Sequence, residues 1–140
     1  MMQSRGSILI ARPIDGVFGF ICDTKNDRLW RSHLVSSRGT AIAVGDRIIQ
    51  TYMAEGKSKT LELSVAEFDP PHRLTYAVGT PVRARLSFRR RPEATGTRVS
   101  IALSATVSGP AALFAGRIQP EIDTLIKGDL HSLREHLETR

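Results

Sequence analysis

Polar and apolar residues alternate with a period of two through the middle of this chain, and the pattern turns helical near its end. Leu61, Leu63 and Val65 point one way, with Glu62 and Ser64 the other. Val82, Ala84, Leu86 and Phe88 oppose Arg83, Arg85, Ser87 and Arg89, while Val99, Ile101, Leu103, Ala105 and Val107 oppose Arg98, Ser100, Ser104 and Thr106. Such alternation predicts strands with one apolar and one polar face, and the apolar face must be covered. Turn signals at Glu55-Gly56-Lys57, Asp69-Pro70-Pro71-His72, Gly79-Thr80-Pro81 and Pro92-Glu93-Ala94-Thr95-Gly96 divide the run. They give strands over 46–54, 58–68, 73–78, 82–91 and 97–107. Connections this short join antiparallel neighbours.

The cover is supplied at the C-terminus. Ile118, Ile122, Leu125, Ile126, Leu130, Leu133 and Leu137 fall within an arc of about 140° on a helix over 118–137. Pro120 marks a kink or the true start of that helix, and residues 110–116 form a lead-in placed to act as a lid. At the other end, Ser7-Ile8-Leu9-Ile10-Ala11 reads as a first strand. Arg12-Pro13-Ile14-Asp15 then opens a short helix, with Pro13 tolerated at its first position and Val17, Phe18 and Ile21 on its apolar side. A second short helix starts at Asp23 or Thr24, with Asp27 in its first turn, and ends near Trp30.

The 140 residues suit one domain spanning 1–140, and 41% hydrophobic with 24% charged residues is ordinary globular composition. A single cysteine, Cys22, excludes an intramolecular disulfide and suits a reducing compartment. The N-terminal residues lack the apolar core of a signal peptide, and no apolar run is long enough to span a bilayer. A cytoplasmic location without stable membrane insertion is therefore expected. Net charge is +6, and Arg far outnumbers Lys among the 20 basic residues. Arg83, Arg85, Arg89, Arg90, Arg91 and Arg98 would form a positive stripe on the polar sheet face, able to attract an acidic protein or an anionic surface. Aromatics interleaved for base stacking are missing there, so nucleic acid is not an expected partner.

Several landmarks follow one another in a recognisable order. They are Ile10 to Phe18 after the first strand, Asp23 with Trp30, Val44-Gly45-Asp46, Val65 through Leu74, Gly96 to Val99, and Asp129 through Leu133 with Glu138. In this order and spacing the chain resembles the START-like (SRPBCC) superfamily, most closely its polyketide cyclase/dehydrase-like branch. The resemblance implies an α+β helix-grip fold: a strongly curved antiparallel β-sheet of about seven strands around a long C-terminal helix, with two short helices after strand 1. It further implies an apolar cavity between sheet and helix.

The resulting expectation is binding or transport of a small hydrophobic molecule such as a lipid, polyketide or aromatic metabolite. The alternative is a cyclase, aromatase or dehydrase acting on such a molecule. A weaker alternative is a protein-interaction module using the arginine stripe. Interior parity nominates Ile48, Leu63, Val65, Leu86, Phe88, Ile101 and Leu103 on the sheet, and Ile118, Ile122 and Ile126 on the last helix, as ligand-binding. Gln50, Tyr52 and Tyr76 place an amide and two phenols on the same apolar surfaces, where a ligand's hydroxyl or carbonyl would satisfy them. Asp129 lies inside the apolar arc of the last helix, and so is either an unusual base or one half of an ion pair. Asp129, Tyr52 and Tyr76 are the catalytic candidates, and Trp30 and His33 sit near the implied cavity mouth. His33, His72, His131 and His136 have no metal-ligand spacing, and no nucleophile elbow or phosphate-binding glycine loop occurs. Neither a metal nor a cofactor is expected.

Overall fold

A computed structural model describes residues 2–54, 56–78, 82–90, 96–105 and 115–139. Strand β1 (Met2–Ile10) leads into helix α1 (Ile14–Cys22) and a 3-10 helix (Thr24–Leu29). Strands β2 (Leu34–Arg38), β3 (Arg47–Ala54), β4 (Lys57–Asp69), β5 (Arg73–Val78), β6 (Val82–Arg90) and β7 (Thr97–Ala105) follow, and helix α2 (Ala115–Glu138) closes the chain. The sheet has 7 strands in the order β1-β7-β6-β5-β4-β3-β2. Every neighbouring pair is antiparallel. This is the helix-grip arrangement of an α+β protein, as the alternation and the closing helix predict.

Two elements differ from the sequence expectation. β1 begins at Met2 rather than Ser7, because its whole length pairs with β7, from Met2↔Ala105 to Ile10↔Thr97. That pairing is a long-range fact that local composition around Gln3 and Arg5 does not signal. The second short helix is a 3-10 helix, whose tighter turn aligns residues three apart. Pro120 lies inside α2, beyond its first turn, and does not start it. The lid expected over 110–116 lies mostly outside the described residues, although Ala115 and Gly116 already belong to α2. The turns at 79–81 and 92–95 and the last residues of the strand expected over 97–107 also lie outside them. Among the described residues, no helix is long and apolar enough to cross a membrane.

The interior is solid at one end. Phe18 of α1 packs edge-on against Phe88 of β6, with ring centroids 5.1 Å apart, and at 5.8 Å from Phe68 of β4. Ile10, Ile48, Val65, Leu74, Val99, Leu130 and Leu133 are buried in the same core. α2 is anchored over this sheet along its length. The Ser4 hydroxyl donates to Asp123, the Ala11 amide donates to Glu138 Oε2 at 2.8 Å, and Arg12 donates to the Glu138 carbonyl at 2.7 Å.

Gly6 allows α2 to approach β1 closely. A Cβ at this position would lie 2.8 Å from Ile126 Cγ2 and 3.2 Å from Leu130 Cδ1. Ile126 is β-branched and cannot swing that methyl away freely. Gly6→Ala is therefore expected to cost about 1–3 kcal/mol in urea denaturation. Combined with Ile126→Ala, which removes the clashing methyl, it should cost less than the two single changes together. Strict additivity would show that α2 does not bear on β1 here.

Candidate functional site

Beyond the aromatic plug the interior is hollow. A cavity of about 220 Å³ lies between the sheet and α2. Leu63 of β4, Val78 of β5, Val82, Ala84 and Leu86 of β6, Ile101 and Leu103 of β7, and Ile122 and Ile126 of α2 form apolar walls. The strand alternation explains this composition, since Leu103 pairs with Ala84, and Ile101 with Leu86, on the inward face. Leu61 and Leu125 also belong to the wall and are 40% and 39% exposed, which marks where the cavity meets solvent.

One pole of the cavity is polar. Asp27, Trp30 and Arg31 reach it from the 3-10 helix and its exit, Tyr52 from β3, Tyr76 from β5 and Asp129 from α2. Arg31 joins these groups: its guanidinium lies 3.9 Å from Asp27 and 3.8 Å from Asp129, and it donates to the Tyr52 hydroxyl at 3.1 Å. Tyr52 donates to Gln50 Oε1 at 2.6 Å, and Gln50 Nε2 donates to Asp27 Oδ2 at 2.8 Å and to Ser37 Oγ at 3.2 Å. Asp129 Oδ1 accepts from the Ser32 amide at 3.0 Å and from the Ser32 hydroxyl at 2.6 Å.

The electrostatics of the pole follow from its burial. Asp27 is pushed up to about 6, chiefly because burial disfavours its charge; Arg31 and hydrogen bonds from Gln50 and Trp30 oppose the rise, and Asp23 adds to it. The Trp30 indole still lacks a hydrogen bond of normal geometry. Burial also raises the Tyr76 phenol, with Asp27 next in effect. For Arg31 burial works against the charge, yet Tyr52, Asp27 and Asp129 outweigh it and hold the guanidinium above its ordinary value. Cys22, at the end of α1, is pushed up to about 12 by burial and by Asp27.

The residues singled out from sequence divide into groups. Trp30, Tyr52, Leu63, Tyr76, Leu86, Ile101, Leu103, Ile122, Ile126 and Asp129 are brought together on the cavity wall. Ile48, Val65 and Phe88 are not on it: they share the inward parity but sit in the solid core, because parity fixes the face and not the depth. Gln50 is fully buried behind the wall, where it links Tyr52 to Asp27. His33 is exposed, with a left-handed φ of 64°, and its carbonyl braces the Met53 amide, so it stands away from the cavity. The Ile118 side chain lies outside the described residues. Asp129 is one half of an ion pair with its oxygens engaged, which leaves it poorly placed as a free base.

Sequence reasoning missed Asp27 and Arg31. Asp27 looks like an ordinary first-turn acid, yet it is buried, with Gln50 of β3 bonded to its Oδ2. The arginine stripe exists on the outer face, where Arg5 and Arg85 flank Ala102 in register and Arg89 pairs with Arg98. Part of its charge is balanced by Glu67, 3.2 Å from Arg73 and 3.8 Å from Arg85. The Arg90 side chain and all of Arg91 lie outside the described residues. Among the described residues no three His, Cys, Asp or Glu side chains group as a metal site would require.

Against known proteins, a family profile described as polyketide cyclase/dehydrase and lipid transport matches residues 1–138. The solved structure of TTHA0849 from Thermus thermophilus superposes with a TM-score of 0.78 at 19% identity, covering 98% of this chain and 97% of that one. BexL, a di-domain ARO/CYC from the BE-7585A biosynthetic pathway, superposes with a TM-score of 0.79 at 19% identity over 99% of this chain and 47% of its own. StfQ, a di-domain ARO/CYC from the steffimycin biosynthetic pathway, gives 0.79 at 12% identity over 99% and 51%. This chain thus spans about half of each di-domain protein. At these identities the likeness is one of fold. No curated protein matches at the level of sequence.

The raised Asp27 carboxyl makes stability depend on pH. Its folded pKa of about 6 exceeds the ordinary 3.8, so the folded state holds the proton more tightly than the unfolded chain. The cost of keeping Asp27 ionised, about 3 kcal/mol, is present above pH 6 and disappears as pH falls through the window from about 6 to about 4. Asp27→Asn should remove this dependence. Urea denaturation is expected to show the stability of the variant relative to the wild type rising by up to about 3 kcal/mol between about pH 4 and neutral pH, on top of the pH-independent cost of the lost Arg31 contact. A pH-independent difference would mean that Asp27 is not desolvated.

Proposed function

Because the chain belongs to the polyketide cyclase/dehydrase and lipid-transport family, we propose that it binds or carries a compact hydrophobic molecule with one polar end. The observation that supports this reading is the asymmetry of the cavity. Aliphatic side chains make most of its wall, while Asp27, Arg31, Tyr52, Tyr76 and Asp129 gather at one pole. An apolar body gains by leaving water for such walls, and convergent polar groups at one place fix its orientation. At about 220 Å³ the space is below the roughly 300–1,000 Å³ of pockets for drug-sized molecules, which favours a ligand of one or two fused rings or a short chain.

A second reading, a cyclase or dehydrase acting on the same ligand, draws on the same pole. Proton transfer needs an acceptor near neutrality and a cation or donors to stabilise developing charge. Asp27, raised to about 6 beside Arg31, is the acceptor this reading would use.

Filling the cavity separates occupancy from general stability. Ala84 lies on the wall of the hollow, and Ala84→Leu adds bulk into space rather than into packed core. Native mass spectrometry of the purified wild type is expected to show an adduct that organic solvent releases, and Ala84→Leu should lose it. The same variant should melt at or above the wild-type temperature, since a filled cavity restores lost packing. A variant that keeps the adduct, or a wild type that never carries or takes up an apolar molecule, would count against the container.

A further inference from the structure

A cleft of about 510 Å³ lies on the outer face of β1, β7 and β6, on the far side of the sheet from the cavity. Its floor is a row of three hydroxyls. Ser7 of β1 pairs with Ser100 of β7, and Ser100 pairs with Ser87 of β6, so the three side chains stand abreast on adjacent strands. Arginines flank the row on both sides. Two residues along in one direction, Arg5 and Arg85 bracket Ala102; two residues along in the other, Arg98 and Arg89 face each other. Arg73 of β5, paired with Ser87, closes one end. All five arginines are exposed.

Left to itself this arrangement costs stability. Like charges directly opposite on neighbouring strands repel, and Arg89 and Arg98 are placed in that way. Glu67 lies 3.2 Å from Arg73 and 3.8 Å from Arg85, but it lines the neighbouring cleft and not this one. Among the described residues no carboxylate lies within ion-pair reach of Arg5, Arg89 or Arg98, and no protein group hydrogen-bonds the hydroxyls of Ser87 and Ser100. Arg98 reaches Ser7 Oγ only at 3.5 Å. Positive charge and hydroxyl donors are thus gathered over one small area with no anion of the protein's own to meet them.

We propose that this cleft is a diphosphate-binding site. Guanidinium forks match phosphate oxygens bidentately and stay charged at any physiological pH. Serine hydroxyls rotate to donate to whichever oxygen lies above them. The row sets the size of the ligand group. Its ends are two strand spacings apart, about 10 Å, which is longer than one phosphate with a hydrogen bond at either side and suits two linked phosphates. A carboxylate would bring two oxygens in one plane, whereas each phosphate of a pyrophosphate brings three acceptors. No aromatic side chain lines the cleft, so recognition falls on the diphosphate and not on a stacked base. The group could belong to a soluble diphosphate compound or to a diphosphate lipid headgroup.

Isothermal titration calorimetry of the full chain with inorganic pyrophosphate, at constant ionic strength set by sodium chloride, tests the site. The wild type is expected to bind pyrophosphate at least about tenfold more tightly than inorganic phosphate or citrate. Ser100→Ala keeps every charge and removes only the central hydroxyl. It should weaken pyrophosphate about tenfold with no change in melting temperature. Arg98→Gln and Arg89→Gln should each weaken it by about tenfold or more. Having lost their mutual repulsion, both should melt at or above the wild-type temperature at low salt without pyrophosphate. Arginines kept only for the fold would shift melting the other way, and that result would overturn the site. So would equal affinity for pyrophosphate, phosphate and citrate, which is the behaviour of a diffuse counterion cloud, or pyrophosphate binding that Ser100→Ala leaves untouched. A wild type that binds no pyrophosphate overturns it outright. Vesicles of phosphatidylcholine with and without diacylglycerol pyrophosphate then separate the two sources. Retention only on the diphosphate vesicles assigns the site to a lipid headgroup, and pyrophosphate binding without retention assigns it to a soluble compound.

Discussion

A half-buried guanidinium shared by two carboxylates holds the working end of this protein together. Arg31 stands between Asp27, carried by the 3-10 helix, and Asp129, carried by α2, with Tyr52 of β3 as a third partner. Three separate elements therefore meet at one cation. Its side chain is 29% exposed and those of the two acids only 3% and 8%. Removing one partner from such a cluster leaves uncompensated buried charge, which is far costlier than losing a surface pair. Ser32 adds two hydrogen bonds to Asp129 immediately after Arg31 in the chain. The loop leaving the 3-10 helix is thus fixed against the middle of α2, while Ala11 and Arg12 fix the end of α2 at Glu138.

That double attachment lets part of the interior stay unfilled. Near α1, Phe18, Phe68 and Phe88 fill the space between sheet and helices. Further along, small or short side chains such as Ala84 and Val82 line the sheet, and Asp129 ties α2 to the loop after the 3-10 helix through polar contacts in addition to its packing on β1. A helix secured only by apolar contact would be free to settle into the gap, because unfilled space forfeits dispersion contacts. The hollow and the polar pole are in this sense one feature.

Much of the architecture was legible because alternation is a local signal. Leu86 and Phe88 sit inward and Arg85 and Arg89 outward, as period two requires. Depth is not local: the same parity places Leu86 on the cavity wall and Phe88 in solid core, and only the arrival of Phe18 from α1 separates them. Asp129 was legible as an anomaly on an apolar helix face, and its partner Arg31 was not, because nothing near Arg31 in sequence announces that its loop meets α2. Asp27 was hidden because a first-turn acid in a short polar helix reads as solvated, and its burial depends on Gln50 of β3, which is remote in sequence. The early start of β1 was hidden for a related reason, since its first residues owe their strand geometry to β7 at the far end of the chain.

Cys22 sits beneath the polar pole, buried and with its thiol pushed up to about 12. A sulfur that stays protonated and shielded is a poor nucleophile toward alkylating reagents and oxidants. The chain's only cysteine is therefore chemically quiet in the folded protein. A new thiol placed at the rim, at Leu61 or Leu125, would react alone, and a single dye or spin label could be attached there without first removing the native sulfur.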